Sequence, residues 1–436
     1  MNLFALNSPS ITGEVLCPGD KSISQRAVII GSLINQDMTI EGFLNGEDPI
    51  STINALNAIG SAIEINNTSV TIKQRETAFS SPKDDVDLGN SGTGMRLMMG
   101  LISSLGINVR LVGDKSLSKR PMLRVSEPLN LMGANILCRD GMPPVQITKG
   151  NIKNNFSYDM PIASAQVKSS IILAALAANE SVTVKEKYQT RNHTEKMIDY
   201  FGGSIKSEII DQENVIYLSP SKLDITKSYK VVGDFSSAAF LIVAGLIAKE
   251  SNIIIKNVGV NPTRSGLIDI LKSMGGEISI RNQEIICNEE VADIHVQSSA
   301  LKGINIKGSI IPNIIDEIPV LSIAAAFADG QTTISEASEL RVKESDRLSA
   351  ISYGLNSIGK SHELFEDGIK INGSKDDISG IPEIDSFGDH RIAMSFLVAS
   401  LRSSEGIHVR DCANIFTSFP GFIDVMQSLG VSINET

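Results

Sequence analysis

The chain has 436 residues, 42% of them apolar and 20% charged, with a formal net charge of −11; it is long enough for two or three domains with their own cores. The acidic balance argues against a protein that holds nucleic acid or an anionic membrane by bulk charge, and the longest apolar stretch, 238–248, falls well short of a bilayer span. Met1-Asn2-Leu3-Phe4 lacks the basic and long apolar segments of a leader, and Cys17, Cys138, Cys287 and Cys412 are too scattered for a metal cluster or disulfide framework, so a cytoplasmic protein with reduced thiols and no metal site is expected.

Along the chain, apolar, alanine-rich helices are predicted at 22–33, 93–105, 163–178, 235–248, 317–327 and 390–401. Helices this uniformly apolar are buried on all sides. Between them lie β-branched alternating segments at 68–72, 108–112, 181–184, 253–255, 304–306, 332–334 and 407–410. A second, more exposed helix recurs on the same beat and ends on Leu/Ile/Met-x-x-apolar-Gly. Its glycines are Gly60, Gly133, Gly202, Gly275, Gly359 and Gly430, spaced 73, 69, 73, 84 and 71 residues apart. Glycine there fits a left-handed C-cap. The chain therefore reads as six copies of a β-α-β-α-β-β unit. Six such units cannot share one core, and three plus three is the simplest division, with a crossing strand at 227–233. A linear solenoid is disfavoured because the central helices are too apolar to line an open array.

The buried helices have polar heads: Gly19-Asp20-Lys21-Ser22-Ile23-Ser24-Gln25-Arg26, Gly89-Asn90-Ser91-Gly92-Thr93-Gly94-Met95-Arg96, Ala163-Ser164-Ala165-Gln166-Val167-Lys168, Gly233-Asp234-Phe235-Ser236-Ser237, Ile315-Asp316-Glu317 and Gly388-Asp389-His390-Arg391. Capping explains one polar residue per head. It does not explain Lys21, Arg26, Lys168 and Arg391, because the helix dipole disfavours cations in the first turns. An anion shared with the free N–H groups would account for them. Three further basic clusters stand before the exposed helices: Lys115-Ser116-Leu117-Ser118-Lys119-Arg120-Pro121-Met122, with Pro121 expected in the first turn; Arg191-Asn192-His193-Thr194-Glu195-Lys196; and Arg341-Val342-Lys343-Glu344-Ser345-Asp346-Arg347, with Ser345 as the expected cap. So many cations in an acidic chain imply ligands with several negative charges. Asp316, Glu344 and Asp389 interrupt the basic set, either to orient arginines or to move protons. A GxSxG elbow is absent.

Taken in order, Pro18-Gly19-Asp20-Lys21-Ser22-Ile23-Ser24, Gly89 to Arg96, Arg120-Pro121-Met122, Ser164-Ala165-Gln166-Val167-Lys168-Ser169, Arg341 to Arg347 and Gly388 to Arg391 resemble the 5-enolpyruvylshikimate-3-phosphate synthase family, from about residue 9 to residue 430. The resemblance implies an α/β fold of two domains, each of three βαβαββ repeats with buried parallel helices, the inside-out α/β barrel of enolpyruvyl transferases. The first domain would be 1–19 plus 233–436 and the second 20–232, with the active site in the interdomain cleft. The implied reaction transfers enolpyruvyl from phosphoenolpyruvate to the 5-hydroxyl of shikimate 3-phosphate and releases phosphate, with no cofactor or metal. A monomer acting on small molecules, without nucleic acid or membrane, is expected.

By the same resemblance Lys21, Ser22, Arg26, Ser164, Ala165, Gln166, Arg191, Asp316 and Lys343 would hold shikimate 3-phosphate. Lys21, Asn90, Gly92, Arg120, Gln166, Arg347, His390 and Arg391 would hold phosphoenolpyruvate. Asp316 would be the base at the 5-hydroxyl and Glu344 the proton carrier at the methylene carbon, assisted by Lys21. Two departures place the chain in the family's second sequence class: Thr417-Ser418-Phe419-Pro420 lacks a lysine found in many relatives, and Leu97 replaces a proline. Gly92, where some resistant relatives carry alanine, implies inhibition by glyphosate. The sister transferase acting on UDP-N-acetylglucosamine carries a cysteine in a mobile loop, whereas Gly113-Asp114-Lys115-Ser116-Leu117-Ser118-Lys119-Arg120 has none. A non-catalytic phosphate-binding or RNA-end-processing protein of related fold is disfavoured by the acidic balance and the lack of aromatic-rich basic stretches.

Overall fold

A computed structural model describes residues 1–8, 10–224 and 228–436; Lys227 of the expected crossing strand lies outside these, as does Pro9. In chain order the helices are α1 (Lys21–Ile34), α2 (Glu47–Ala58), α3 (Gly92–Ile102), α4 (Leu123–Leu131), α5 (Ala165–Ala178), α6 (His193–Tyr200), α7 (Phe235–Ile247), α8 (Gly266–Ser273), α9 (Ile311–Ile314), α10 (Ile318–Ala326), α11 (Arg347–Ser357), α12 (His390–Ala399) and α13 (Phe422–Ser428). The apolar set is α1, α3, α5, α7, α10 and α12. All thirteen residues of α7 are buried, as are all nine of α10. Each fully buried Leu, Ile, Val or Phe side chain contributes about 1.5–3 kcal/mol, so these helices form the cores around which the sheets pack.

Local chemistry sets both kinds of helix end. Asp20, Ser91, Ser164, Asp234 and Asp389 cap α1, α3, α5, α7 and α12, each accepting a backbone N–H from the first turn. The exposed helices stop alike. In all six the first residue of the Leu/Ile/Met-x-x-apolar-Gly run gives its carbonyl to the N–H just after the glycine: Ser61 to Leu56, Ala134 to Leu129, Gly203 to Ile198, Gly276 to Leu271, Lys360 to Leu355 and Val431 to Met426, at 2.8–3.0 Å. The glycines have φ between 72° and 109°. This is the Schellman closure, and the left-handed residue it needs explains the sixfold glycine.

Among the described residues there are six four-stranded sheets. In the second repeat Val86–Asp87 runs parallel to Val109–Val112, which is antiparallel to Met142–Thr148, and Asn135–Arg139 completes the hairpin. The first and fourth repeats exchange leading strands. Ser10–Leu16 precedes α1 in the chain yet pairs with Glu250–Gly259, which follows α7. Tyr229–Lys230 precedes α7 yet pairs with Met38–Glu41, which follows α1. Leu3–Ala5 fits between Ile407–Arg410 and Ile433–Glu435 in the sixth sheet. The chain divides into two compact units: Met1–Pro18, Gly233–Glu284 and Glu290–Thr436 form the first, and Gly19–Val232 with the hairpin tip Ile285–Glu289 the second. Among the described residues no single helix is long and apolar enough to cross a membrane.

Candidate active site

Three helix heads meet in the second unit. Lys21, the first residue of α1, donates from Nζ to Asp48 Oδ2 in the first turn of α2 at 2.9 Å. Gln25 Nε2 donates to Ser91 Oγ at 2.6 Å and Thr52 Oγ1 at 2.9 Å, joining the heads of α1 and α3. Arg26 donates from Nε to Thr194 Oγ1 at 2.8 Å and from Nη2 to Ser169 Oγ at 3.0 Å, which ties α1 to α5 and α6. Gln166 donates to Thr93 Oγ1 at 2.8 Å and accepts from Arg96, so the heads of α3 and α5 also touch. Head against head means that the three helices run parallel. Arg120 donates to Asn90 Oδ1 at 2.6 Å and to Ser116 Oγ at 3.2 Å. A methyl group at Gly92 would stand 2.9 Å from Arg120 Nη1 and would push the guanidinium aside. Cations and amide donors thus surround converging helix N-termini, an arrangement suited to anionic groups.

In the first unit the heads of α7, α10 and α12 meet, but around carboxylates. Arg347, the first residue of α11, is wholly buried, and each guanidinium nitrogen has its own carboxylate: Nε to Asp389 Oδ2 at 2.8 Å, Nη1 to Asp316 Oδ1 at 3.1 Å and Nη2 to Glu344 Oε2 at 2.5 Å. Burial pulls its pKa down, yet Asp389, Glu344 and Asp316 together raise it well above the ordinary arginine value. Asp389 is fully buried and also caps α12 by accepting from Arg391 N at 2.9 Å. Asp316 and Glu344 keep 15% and 20% of their side chains exposed. Lys343 Nζ stands 3.5 Å from Asp316 Oδ1, and Arg391 Nη1 donates to the Asp316 carbonyl at 2.9 Å. His390 is buried beside them in the first turn of α12.

Of the residues singled out in the sequence, Lys21, Ser22, Arg26, Asn90, Gly92, Arg120, Ser164, Ala165 and Gln166 thus lie at the first group of heads. Arg191 is half-buried, one residue before the N-cap of α6. Asp316, Lys343, Glu344, Arg347, His390 and Arg391 gather at the second group. Lys168 differs from expectation: it is fully buried, with Glu186 at 2.9 Å and Glu195 at 2.8 Å, so the anion answering this cation is the protein's own. Asp346, not Ser345, caps α11, because its carboxylate reaches Ser349 N at 3.1 Å. Pro121 precedes the N-cap Met122 of α4 rather than standing in its first turn. Sequence reasoning assigned no role to Asp48, Arg96 or Glu317. Arg96 and Glu317 sit inside quoted motifs and were legible as charges at helix heads; Asp48 carried no comparable signal. Among the described residues no group of three or more His, Cys, Asp or Glu side chains is placed to hold a metal.

Residues 7–426 match the family model for EPSP synthase (3-phosphoshikimate 1-carboxyvinyltransferase). A 3-phosphoshikimate 1-carboxyvinyltransferase of Legionella pneumophila (strain Corby) is 44% identical over 442 aligned positions, covering all of this chain and 99% of the relative. One from Hydrogenovibrio crunogenus is 43% identical, covering 97% of this chain and 96% of its own. Among solved structures, the EPSP synthase of Acinetobacter baumannii superposes with a TM-score of 0.85 at 39% identity over the whole of both chains. The enolpyruvyl transferase NikO of Streptomyces tendae, at 17% identity and a TM-score of 0.77 over 99% of this chain and 98% of its own, shares the fold. With two units of repeated α/β architecture and polar helix heads gathered in each, the chain belongs to the EPSP synthase family.

Proposed function

We propose that this chain carries the activity for which its family is named: it transfers the enolpyruvyl group of phosphoenolpyruvate to the 5-hydroxyl of shikimate 3-phosphate. The observation that carries the reading is the grip of one buried guanidinium, Arg347, on both Asp316 and Glu344. The reaction must remove a proton from an alcohol and deliver one to carbon, so a base and an acid have to be held together. The 5-hydroxyl oxygen bonds to C2 of phosphoenolpyruvate as its proton passes to Asp316, and C3 takes a proton from Glu344. The tetrahedral intermediate collapses when C3 returns a proton to Glu344 and the C2–O bond to phosphate breaks. Lys21, held by Asp48, stabilises the leaving oxygen.

Shikimate 3-phosphate takes Lys21, Ser22, Arg26, Ser164, Ala165, Gln166, Arg191, Asp316 and Lys343. Phosphoenolpyruvate takes Lys21, Asn90, Gly92, Arg120 and Gln166 with Arg347, His390 and Arg391. The reading takes the chain to act as a monomer in the cytoplasm. The test is phosphate release from phosphoenolpyruvate with either shikimate 3-phosphate or UDP-N-acetylglucosamine as acceptor. Release with the first alone is expected; release with the UDP-sugar alone, or with neither, overturns the reading.

A further inference from the structure

The head of the fourth repeat, Asp234-Phe235-Ser236, holds no substrate in this reading, yet its side chains are fully engaged. Arg264, just ahead of α8 and almost wholly buried, donates from Nη2 to Asp234 Oδ1 at 2.9 Å and to Ser236 Oγ at 3.0 Å. A serine hydroxyl has one hydrogen. Accepting from Arg264, Ser236 directs that hydrogen to Glu317 Oε1. Glu317 stands at the N-cap of α10 without capping it; its carboxylate runs sideways. It is 1% exposed, its Oε2 has no hydrogen-bond partner, and Oε1 lies 3.6 Å from Arg391 Nη1. A buried carboxylate oxygen left unbonded is costly, and the nearby charge that offsets it here is that of Arg391.

Arg391 is therefore fixed from two consecutive residues, by the carbonyl of Asp316 and the carboxylate of Glu317, and both act on Nη1. Among the described residues nothing pairs with its Nε and Nη2, the edge of the fork that grips an anion bidentately. We propose that Glu317 is a positioning residue for Arg391: it turns the guanidinium so that its open edge faces the donor substrate, and the Arg264–Ser236 pair holds Glu317 in place. The fourth head thereby serves the site without touching a ligand. This inference rests on the reading of the reaction given above.

The test is steady-state phosphate release by the full-length chain, with shikimate 3-phosphate affinity measured by calorimetry. Glu317→Gln keeps the shape and the Ser236 contact but removes the charge facing Arg391. It is expected to raise KM for phosphoenolpyruvate at least tenfold, with shikimate 3-phosphate affinity and melting temperature close to wild type. In an Arg391→Lys background the same change is expected to add less than threefold, because the group it acts through is already gone. A KM for phosphoenolpyruvate within twofold of wild type overturns the proposal, and so does an equal effect in both backgrounds. Failure of the wild-type chain to turn over the two substrates overturns the underlying reading and this inference with it.

Discussion

Among the described residues each unit buries one cation completely, and the two are answered differently. Around Lys168 of the second unit stand Glu186 and Glu195, whose side chains are 0% and 9% exposed. Glu186 also takes bonds from Thr190 Oγ1 at 2.6 Å and Asn214 Nδ2 at 2.7 Å. Burial lowers the Lys168 pKa, but Glu195 and Glu186 outweigh it and the net direction is upward. That cluster is sealed. Arg347 of the first unit has three carboxylates, and only Asp389 is sealed. Asp316 and Glu344 share the cation yet keep an open side. The same device, a buried cation in a low-dielectric core, makes a structural knot in one unit and, in the proposed reaction, holds the acid–base pair in the other. Exposure of the carboxylates, rather than burial of the cation, separates the two roles.

Four experiments break or sharpen this contrast. Asp316→Ala and Glu344→Ala are each expected to lower kcat by roughly 10²–10⁴-fold, the usual worth of a positioned acid or base. Calorimetry should still show shikimate 3-phosphate binding; near-normal rates in both would remove their assigned roles. Lys168→Met strands two buried carboxylates and should cost about 3–5 kcal/mol of stability. Melting should fall on the order of 10 °C, while kcat of the folded fraction stays near wild type. A collapsed kcat at an unchanged melting temperature would move Lys168 into the functional class.

Smaller effects follow. Gly92→Ala pushes on Arg120 Nη1 but on little else. Because Arg120 is itself held by Asn90 and Ser116, KM for phosphoenolpyruvate should rise roughly tenfold, about 1.4 kcal/mol, with stability unchanged. The wild-type chain should be inhibited by glyphosate and the variant less so; full wild-type activity at saturating glyphosate would refute this. The smallest effect concerns a third cation. Lys360 donates to Ser374 O at 3.0 Å and Asp376 O at 2.8 Å, and lies 4.4 Å from the Phe327 ring centroid on which Arg402 also packs. Burial, then Arg402, pushes its pKa down to about 8. Between about pH 8 and the ordinary lysine value the unfolded chain holds the extra proton, so stability attributable to Lys360 rises with pH across that window. Lys168 has the opposite sign: its contribution is full below the ordinary lysine value and is lost only above it. An NMR titration of the lysine side chains should show a midpoint near 8 for Lys360 and none in that range for Lys168.

Much of this was legible because it is local. A glycine after Leu/Ile/Met-x-x-apolar closes a helix within six residues, and Asp20, Ser91 and Asp389 cap within three. What stayed hidden depends on distant partners. Lys168 was visible as a cation where the dipole disfavours one, but Glu186 and Glu195 come from a strand and another helix, so nothing nearby announced that its anion is internal. Asp48 meets Lys21 only because α2 folds back on α1. The exchange of leading strands was implied only by the resemblance, which grouped 1–19 with 233–436; nothing local announced it, since Ser10–Leu16 and Glu250–Gly259 lie some 240 residues apart.

That exchange makes the two units unequal in autonomy. The second unit owns every strand of its three sheets once Tyr229–Lys230 has been made and then lacks only the hairpin tip Ile285–Glu289, so its sheets can form during synthesis. The first unit borrows Ser10–Leu16 and Leu3–Ala5 from the opposite end of the chain. At about 5–20 residues per second, Ser10–Leu16 waits tens of seconds for Glu250–Gly259 to be made. Its unpaired edges are then open to pairing with other chains. Crowded or fast expression should therefore penalise the first unit, and a circular permutant starting near residue 233, with the original ends joined, should relieve the delay.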